Sequence, residues 1–309
     1  MQSIVPHDNT LLPGMKTVMG DSRESFPVTY IPDIEYARRG HMALCLQLIM
    51  PHALRPAGML PAARESEGSP RFPLVIYVQG AAWGEQDVYS RIGQLSALAR
   101  RGYVIASVKH RASDVAGFPA FLQDVKSAIR FMRAHADLYR IDPERVAIWG
   151  DSSGGHAALM TGVTGDMPAF KTEDNAGYSD AVCAVVDFYG PTDVTRINDV
   201  PRDPQVTADK DHIPEDILYG GCVAEHPEIS QPGNPLNYVT PEKKLPPIMI
   251  AHGDMDPVVP FNQSVLMYEK LRACGQPVEF YKVFGAGHGT CFWTREMLEN
   301  VAAFLEACM

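Results

Sequence analysis

Apolar residues in this chain fall into short runs separated by amphipathic stretches. Leu74 to Val78, Tyr103 to Val108, Val146 to Trp149, Ala181 to Phe188 and Ile248 to Ala251 are nearly continuous and rich in β-branched side chains. Such runs are the signature of strands buried on both faces of a parallel sheet. Val278 to Phe284 reads as a further strand. Between the runs, apolar positions recur at helical spacing. Residues 90–101 place Ile92, Leu95, Leu98 and Ala99 on one face, and Gly102 ends the helix. Phe121 to Tyr139 predicts a long amphipathic helix that buries Val125, Ile129, Met132 and Ala136. Asn262 to Cys274 and Thr294 to Cys308 are predicted helices as well. Val28 to Ile31 and Ala43 to Met50 predict an opening antiparallel hairpin or meander.

Strands that alternate with helices imply right-handed βαβ units. The predicted fold is α/β, with a mostly parallel central sheet and helices on both faces. In such sheets ligands bind outside the C-terminal ends of the strands. Residues 1 to about 27 are turn-rich and polar and read as a surface wrap. Pro51 to Pro73 reads as a surface loop rather than a linker, because one hairpin cannot fold alone. Residues 165–180 form a polar loop. Residues 191–246 are Pro- and Asp-rich and weakly periodic. A loop that long is usually functional, and it is expected to cap the C-terminal strand edge as a lid on a single domain of residues 1–309.

The balance of 27 Lys+Arg against 37 Asp+Glu gives a net charge of −10. That disfavours nucleic acid and anionic membrane surfaces as partners. The chain has no run of about 18 apolar residues, and its N-terminus has no apolar core of a signal peptide. The six cysteines form no C-x-x-C pair or metal spacing. Cys45 and Cys183 lie in apolar runs and are expected to be buried thiols, which points to a reducing, cytoplasmic compartment. The sequon Asn262-Gln263-Ser264 reads as a chance match at a helix start.

Candidate chemistry centres on Gly150-Asp151-Ser152-Ser153-Gly154, set between a strand and the helix-forming Ala157-Ala158-Leu159-Met160. This is the nucleophile-elbow pattern, in which a sharp turn lifts the middle serine above the sheet. The two glycines are expected because a Cβ there would collide with the strand or helix alongside. A serine hydroxyl is a poor nucleophile unless a base takes its proton and a carboxylate orients that base. Of the ten histidines, His288 sits best, in a Gly-rich turn after the last strand. The preceding strand ends in His252-Gly253-Asp254-Met255-Asp256. Asp256 is expected to reach the imidazole, while Asp254 caps the turn. Asp187 and Asp193 are alternative acids. An oxyanion needs two backbone N–H donors. One is expected from Ser153 and the other from Ala81 or Ala82, with Trp83 either walling the pocket and touching substrate or lying in the core. His156 reads as structural, His252 as a hydrogen-bonded turn residue and Arg38-Arg39 as a solvated turn. Cys291 lacks an elbow and is not expected to act as a nucleophile.

Together these motifs resemble the α/β-hydrolase superfamily over roughly residues 28–308. They are most similar to its small esterase and carbohydrate-esterase branch, which includes feruloyl and acetyl-xylan esterases and is related to the hormone-sensitive-lipase group. The Tyr189-Gly190-Pro191-Thr192-Asp193 turn adds to the likeness. The resemblance implies Ser152 as nucleophile, His288 as base and Asp256 as its orienter, with no metal or organic cofactor. The family's His-Gly-Gly-Gly-Trp-like turn is replaced here by Gln79-Gly80-Ala81-Ala82-Trp83. The expected activity is hydrolysis of small acyl or hydroxycinnamoyl esters, such as feruloyl or acetyl esters of plant polysaccharides, with a small-molecule or oligosaccharide ester as substrate. An amidase or peptidase on the same fold and a silent binding protein are the alternatives. An exposed lid would also offer a homodimer surface.

Overall fold

The computed structural model describes residue 10 and residues 12–16, 28–51, 71–204 and 213–309. The predicted surface loop between Pro51 and Pro73 lies almost wholly outside the described residues, as does most of the N-terminal wrap. The described chain builds one eight-stranded sheet in the order β1-β2-β4-β3-β5-β6-β7-β8. Strands β1 (Val28–Arg39) and β2 (Met42–Pro51) form an antiparallel hairpin, and β2 also runs antiparallel to β4 (Val104–Val108). From β4 through β3 (Phe72–Val78), β5 (Ile141–Asp151), β6 (Ala184–Phe188), β7 (Ile248–Gly253) and β8 (Val278–Val283), every pairing is parallel. This is the α/β-hydrolase fold, as the sequence predicted.

Period-2 alternation sends successive strand residues to opposite faces. Leu74, Ile76, Val78 and Ile148 pack on one face against α2 (Ala120–Ala134), α4 (Ser153–Val163) and α6 (Asn262–Ala273). Val75, Tyr77, Ala147 and Trp149 pack on the other against α1 (Ile92–Ala99) and α7 (Arg295–Cys308). Thr294 caps α7 by accepting a hydrogen bond from the Met297 amide at 3.1 Å. No helix among the described residues is long and apolar enough to cross a membrane.

The structure corrects several local expectations. The first strand runs well past Ile31, because Pro32-Asp33 is absorbed as a register shift rather than a break. Asp33 adopts φ +53°, and the buried Gln47 amide replaces the missing ladder bonds. It accepts from the Asp33 amide at 3.1 Å and donates to the Asp33 carboxylate at 2.8 Å. The long helix divides at His135 into α2 and the short α3 (Ala136–Tyr139). There the His135 imidazole donates to the Phe131 carbonyl at 2.8 Å and competes with the helix ladder. Cys45 and Cys183 are half-buried rather than buried. Arg39 is no solvated turn. It ends β1 and pairs with Asp174 at 2.7 Å and with Asp124 at 3.3 Å.

The polar 165–180 loop is held by charges buried in α2. Lys126 and Arg130 both reach Asp180, at 2.6 Å and 3.0 Å, and all three side chains are fully buried. The segment after Pro191 is also tied down where it is described. Leu218, on α5 (Pro214–Tyr219), joins the core with Val223, Val239 and Leu245, and Arg202 pairs with Glu215 at 3.0 Å. Replacing Asp180 with Ala strands two buried cations. That is expected to cost about 3–5 kcal/mol in urea unfolding, whereas a loss below about 1 kcal/mol would show the cluster to be dispensable.

Candidate active site

The turn after β5 carries the nucleophile candidate. Ser152 adopts φ +55° and ψ −125°, a left-handed backbone that costs a non-glycine residue about 1–3 kcal/mol. Close packing enforces it. A Cβ on Gly150 would lie 2.0 Å from the Gly154 carbonyl oxygen, and one on Gly154 would lie 1.9 Å from the Val78 carbonyl oxygen. Only glycine at both positions lets α4 begin directly against β3. The Ser152 amide donates to the Phe188 carbonyl at 2.8 Å, which fastens the turn to the end of β6.

The chain after β8 returns to this point. His288 Nε2 lies 3.0 Å from Ser152 Oγ, and His288 Nδ1 lies 2.8 Å from Asp256 Oδ2. The serine O–H therefore donates to Nε2 while Nδ1–H donates to the carboxylate. Asp256 Oδ1 accepts from the amides of Val258 at 2.8 Å and Val259 at 3.0 Å. His252 is the residue whose part the sequence reading understated. Its Nε2–H faces both the Val259 carbonyl at 2.9 Å and Asp256 Oδ2 at 3.3 Å, and its Nδ1 accepts from Ser264. Burial pushes the Asp256 carboxyl up, but hydrogen bonds from His252 and His288 outweigh it and hold the group well below the usual carboxylate range. Asp254 caps the neighbouring turn by accepting from the Gly285 amide at 2.7 Å. The alternative acids are engaged elsewhere. Asp193 accepts from Thr195, and Asp187 accepts from the Gly190 amide at 2.9 Å. Burial drives the Asp187 carboxyl well above its ordinary range, opposed only by the Gly190 amide.

The loop after β3 is clamped by the two residues that flank Ser152. Asp151 Oδ1 accepts from the Gly80 amide at 3.1 Å and from the Tyr77 hydroxyl at 2.6 Å. Ser153 Oγ accepts from the Ala81 amide at 2.9 Å. Ala81 is thereby engaged, and the amides of Ala82 and Ser153 have no acceptor among the described residues. Ala82 and Trp83 both hold positive φ, at +49° and +57°, a concentration of strain typical of functional loops.

Trp83 belongs to the buried core cluster. Its side chain is 3% exposed, and its indole N–H donates to His156 Nδ1 at 3.0 Å. It lies in the core, where its bulk and its partner place it. The opposite nitrogen of His156 donates to the Gly233 carbonyl at 2.7 Å, so this buried imidazole ties the β3 loop to the 191–246 segment. Tyr189, at the end of β6, lays its ring 4.8 Å from that of His288. Its hydroxyl accepts from Trp293 Nε1 at 3.0 Å. No motif marked Tyr77 or Trp293, and only their contacts beside the elbow reveal them.

A family model, BD-FAE, matches residues 60–271 of this chain. The esterase LipC of Mycobacterium tuberculosis is 32% identical over 220 residues, which are 70% of this chain and 53% of that protein. The chain thus spans about half the length of the curated relatives it matches. Among solved structures, a truncated carbohydrate esterase from gut microbiota superposes with a TM-score of 0.77 at 28% identity, covering 94% of this chain and 99% of that one. A bifunctional GH43-CE protein of Bacteroides eggerthii superposes with a TM-score of 0.75 at 30% identity, covering 90% of this chain and 38% of that one.

Burial lowers the pKa of His156 from 6.5 to about 4, partly opposed by its bond to the Gly233 carbonyl. Between those values the unfolded chain takes up a proton that the folded chain refuses. The contribution of His156 to stability is therefore expected to be constant above pH 6.5 and to fall by roughly 3 kcal/mol as the pH drops through this window. Urea unfolding of wild type and His156→Gln at a series of pH values checks this. The variant should lack that part of the slope, and identical slopes would refute the assignment.

Proposed function

The chain belongs to the BD-FAE family, and on that premise we propose that it is a serine carboxylic-ester hydrolase working through an acyl-enzyme. One observation carries the reading: a strained serine at a strand tip, 3.0 Å from an imidazole whose far nitrogen is held 2.8 Å from a buried carboxylate. Ser152 Oγ attacks the ester carbonyl while its proton passes to His288 Nε2. The imidazolium is stabilised by Asp256, which stays ionised because His252 and two backbone amides hold its charge. The negative charge that develops on the carbonyl oxygen is met by the free amides of Ala82 and Ser153, the arrangement that contributes most to acyl-transfer catalysis. Collapse of the tetrahedral adduct expels the alcohol, which takes the proton from Nε2. A water then gives its proton to Nε2 and attacks the acyl carbon, and collapse of the second adduct releases the acid as Ser152 Oγ takes that proton back.

The substrate class follows from analogy. Two similar solved structures carry carbohydrate-esterase descriptions, which supports small acyl or hydroxycinnamoyl esters, such as acetyl or feruloyl groups on plant polysaccharides. The 191–246 segment serves as the cap that shapes the alcohol and acyl pockets. It is fastened to the site through Gly233 and through Arg202, whose Nε donates to the Val258 carbonyl at 3.0 Å. A reducing compartment suits the free cysteines.

Turnover of a p-nitrophenyl ester series from acetate to decanoate, with a ferulate ester and an anilide alongside, tests the reading. Esters should be cleaved and the anilide spared, and Ser152→Ala should abolish turnover. Asp256→Asn should lower kcat by about 10⁴-fold, because an amide presents the wrong partner to Nδ1–H. Ester turnover that survives Ser152→Ala would overturn the mechanism.

A further inference from the structure

A cation beside the proposed base has no acceptor for its donors among the described residues. Arg91 precedes α1 and stacks its guanidinium over the Trp293 ring at 4.6 Å. The same Trp293 donates to Tyr189, whose ring lies against His288. Arg91 also reaches the turn that carries the base. Its Nη2 lies 3.8 Å from where a Cβ of Gly289 would sit, and the Tyr189 hydroxyl lies 3.5 Å from the same point. The guanidinium thus lies against the turn one residue beyond His288.

Several other buried or half-buried arginines are satisfied by carboxylates, and Arg133 by the Pro143 and Ser179 carbonyls. Arg39 has Asp174 at 2.7 Å, Arg111 has Asp124 at 2.8 Å, Arg130 has Asp180 at 3.0 Å and Arg202 has Glu215 at 3.0 Å. Arg91 differs. Its Nε is buried without an acceptor, and no ion pair or hydrogen bond engages its fork among the described residues. Buried donors left unpaired cost free energy, and a cation at the start of a helix is opposed by the helix dipole. Beyond the cation–π contact with Trp293, no carboxylate among the described residues rewards the charge. Beside it, Gln79 donates through Nε2 to Ser90 Oγ at 2.9 Å, while its own Oε1 is buried without a donor. A planar fork lacking a carboxylate thus adjoins an acceptor lacking a hydroxyl.

We propose that Arg91 and Gln79 form an anion subsite beside the reacting ester, so that the preferred substrate carries a carboxylate with a hydroxyl next to it, as an acidic sugar does. The fork binds the carboxylate through parallel N–H bonds, and Gln79 Oε1 accepts from the hydroxyl. This specificity rests on the ester-hydrolase reading, but the subsite can be measured without turnover.

Two substrate pairs locate the charge. Mono-4-nitrophenyl glutarate against 4-nitrophenyl valerate puts it on the acyl side. An O-acetylated methyl glucuronoside against the matching glucoside puts it on the alcohol side. Wild type should favour the acidic member of the alcohol-side pair by roughly tenfold in kcat/KM, carried by KM and weakened by salt. Arg91→Gln should bring that ratio to about one, and Arg91→Lys should restore part of it, since the charge returns without the fork. Calorimetric binding of glucuronate to Ser152→Ala should disappear in Ser152→Ala/Arg91→Gln. A preference confined to the glutarate pair would overturn the acidic-sugar assignment. A ratio unmoved by Arg91→Gln, or glucuronate binding indifferent to Arg91, would overturn the subsite itself. Failure of every ester in wild type, with Arg91-dependent glucuronate binding intact, would instead contradict the hydrolase reading and support the subsite.

Discussion

The site depends on one steric constraint, the contact between α4 and β3 at the elbow. With the Cβ position of Gly154 only 1.9 Å from the Val78 carbonyl oxygen, no side chain larger than hydrogen fits. That closeness puts the start of α4 against the loop after β3, which brings Ser153 Oγ within 2.9 Å of the Ala81 amide. It also forces Ser152 into a left-handed backbone. The strain is held by bonds on every side: the Ser152 amide to Phe188, Asp151 to Gly80 and Tyr77, and Ser153 to Ala81. Positive-φ residues of this kind persist only where their surroundings over-determine them.

Electrostatics complete what sterics begin. Asp256 is buried, and a buried carboxylate is costly unless its charge is shared. Two histidines and two amides share it. His252 supports the carboxylate from behind while His288 uses it in front, so one residue steadies the acid and another is oriented by it. Asp187 shows the opposite outcome one strand away. It receives a single amide bond at Oδ1, and its other oxygen is unpartnered among the described residues. Burial therefore wins there and pushes the carboxyl up. Two aspartates near neighbouring strand ends thus shift in opposite directions, according to the number of donors that reach them.

Much of this was legible in the sequence. The apolar runs located the parallel strands, since a strand buried on both faces cannot disguise its composition. The elbow glycines, Asp256 and His288 were legible because each follows a strand at the same sheet edge. Local chemistry that depends on distant partners was not. Pro32-Asp33 looks like a strand end until Gln47 is seen to bridge it. From the sequence Trp83 fits a pocket wall or the core, and the partner that buries its indole N–H, His156, lies on another element. Arg39 looks solvated until Asp124 and Asp174 fold against it. Whether Ala81 or Ala82 keeps a free amide turns on one serine hydroxyl, Ser153 Oγ, which no local pattern specifies.

The most direct test of the central claim is where a fluorophosphonate probe attaches. Peptide mass mapping of the labelled native protein should find the adduct on Ser152 alone, and unfolding the protein in urea before labelling should abolish it, because the reactivity comes from the elbow and His288 rather than from the serine itself. An adduct on another residue, or the absence of any adduct on the folded protein, would contradict the account.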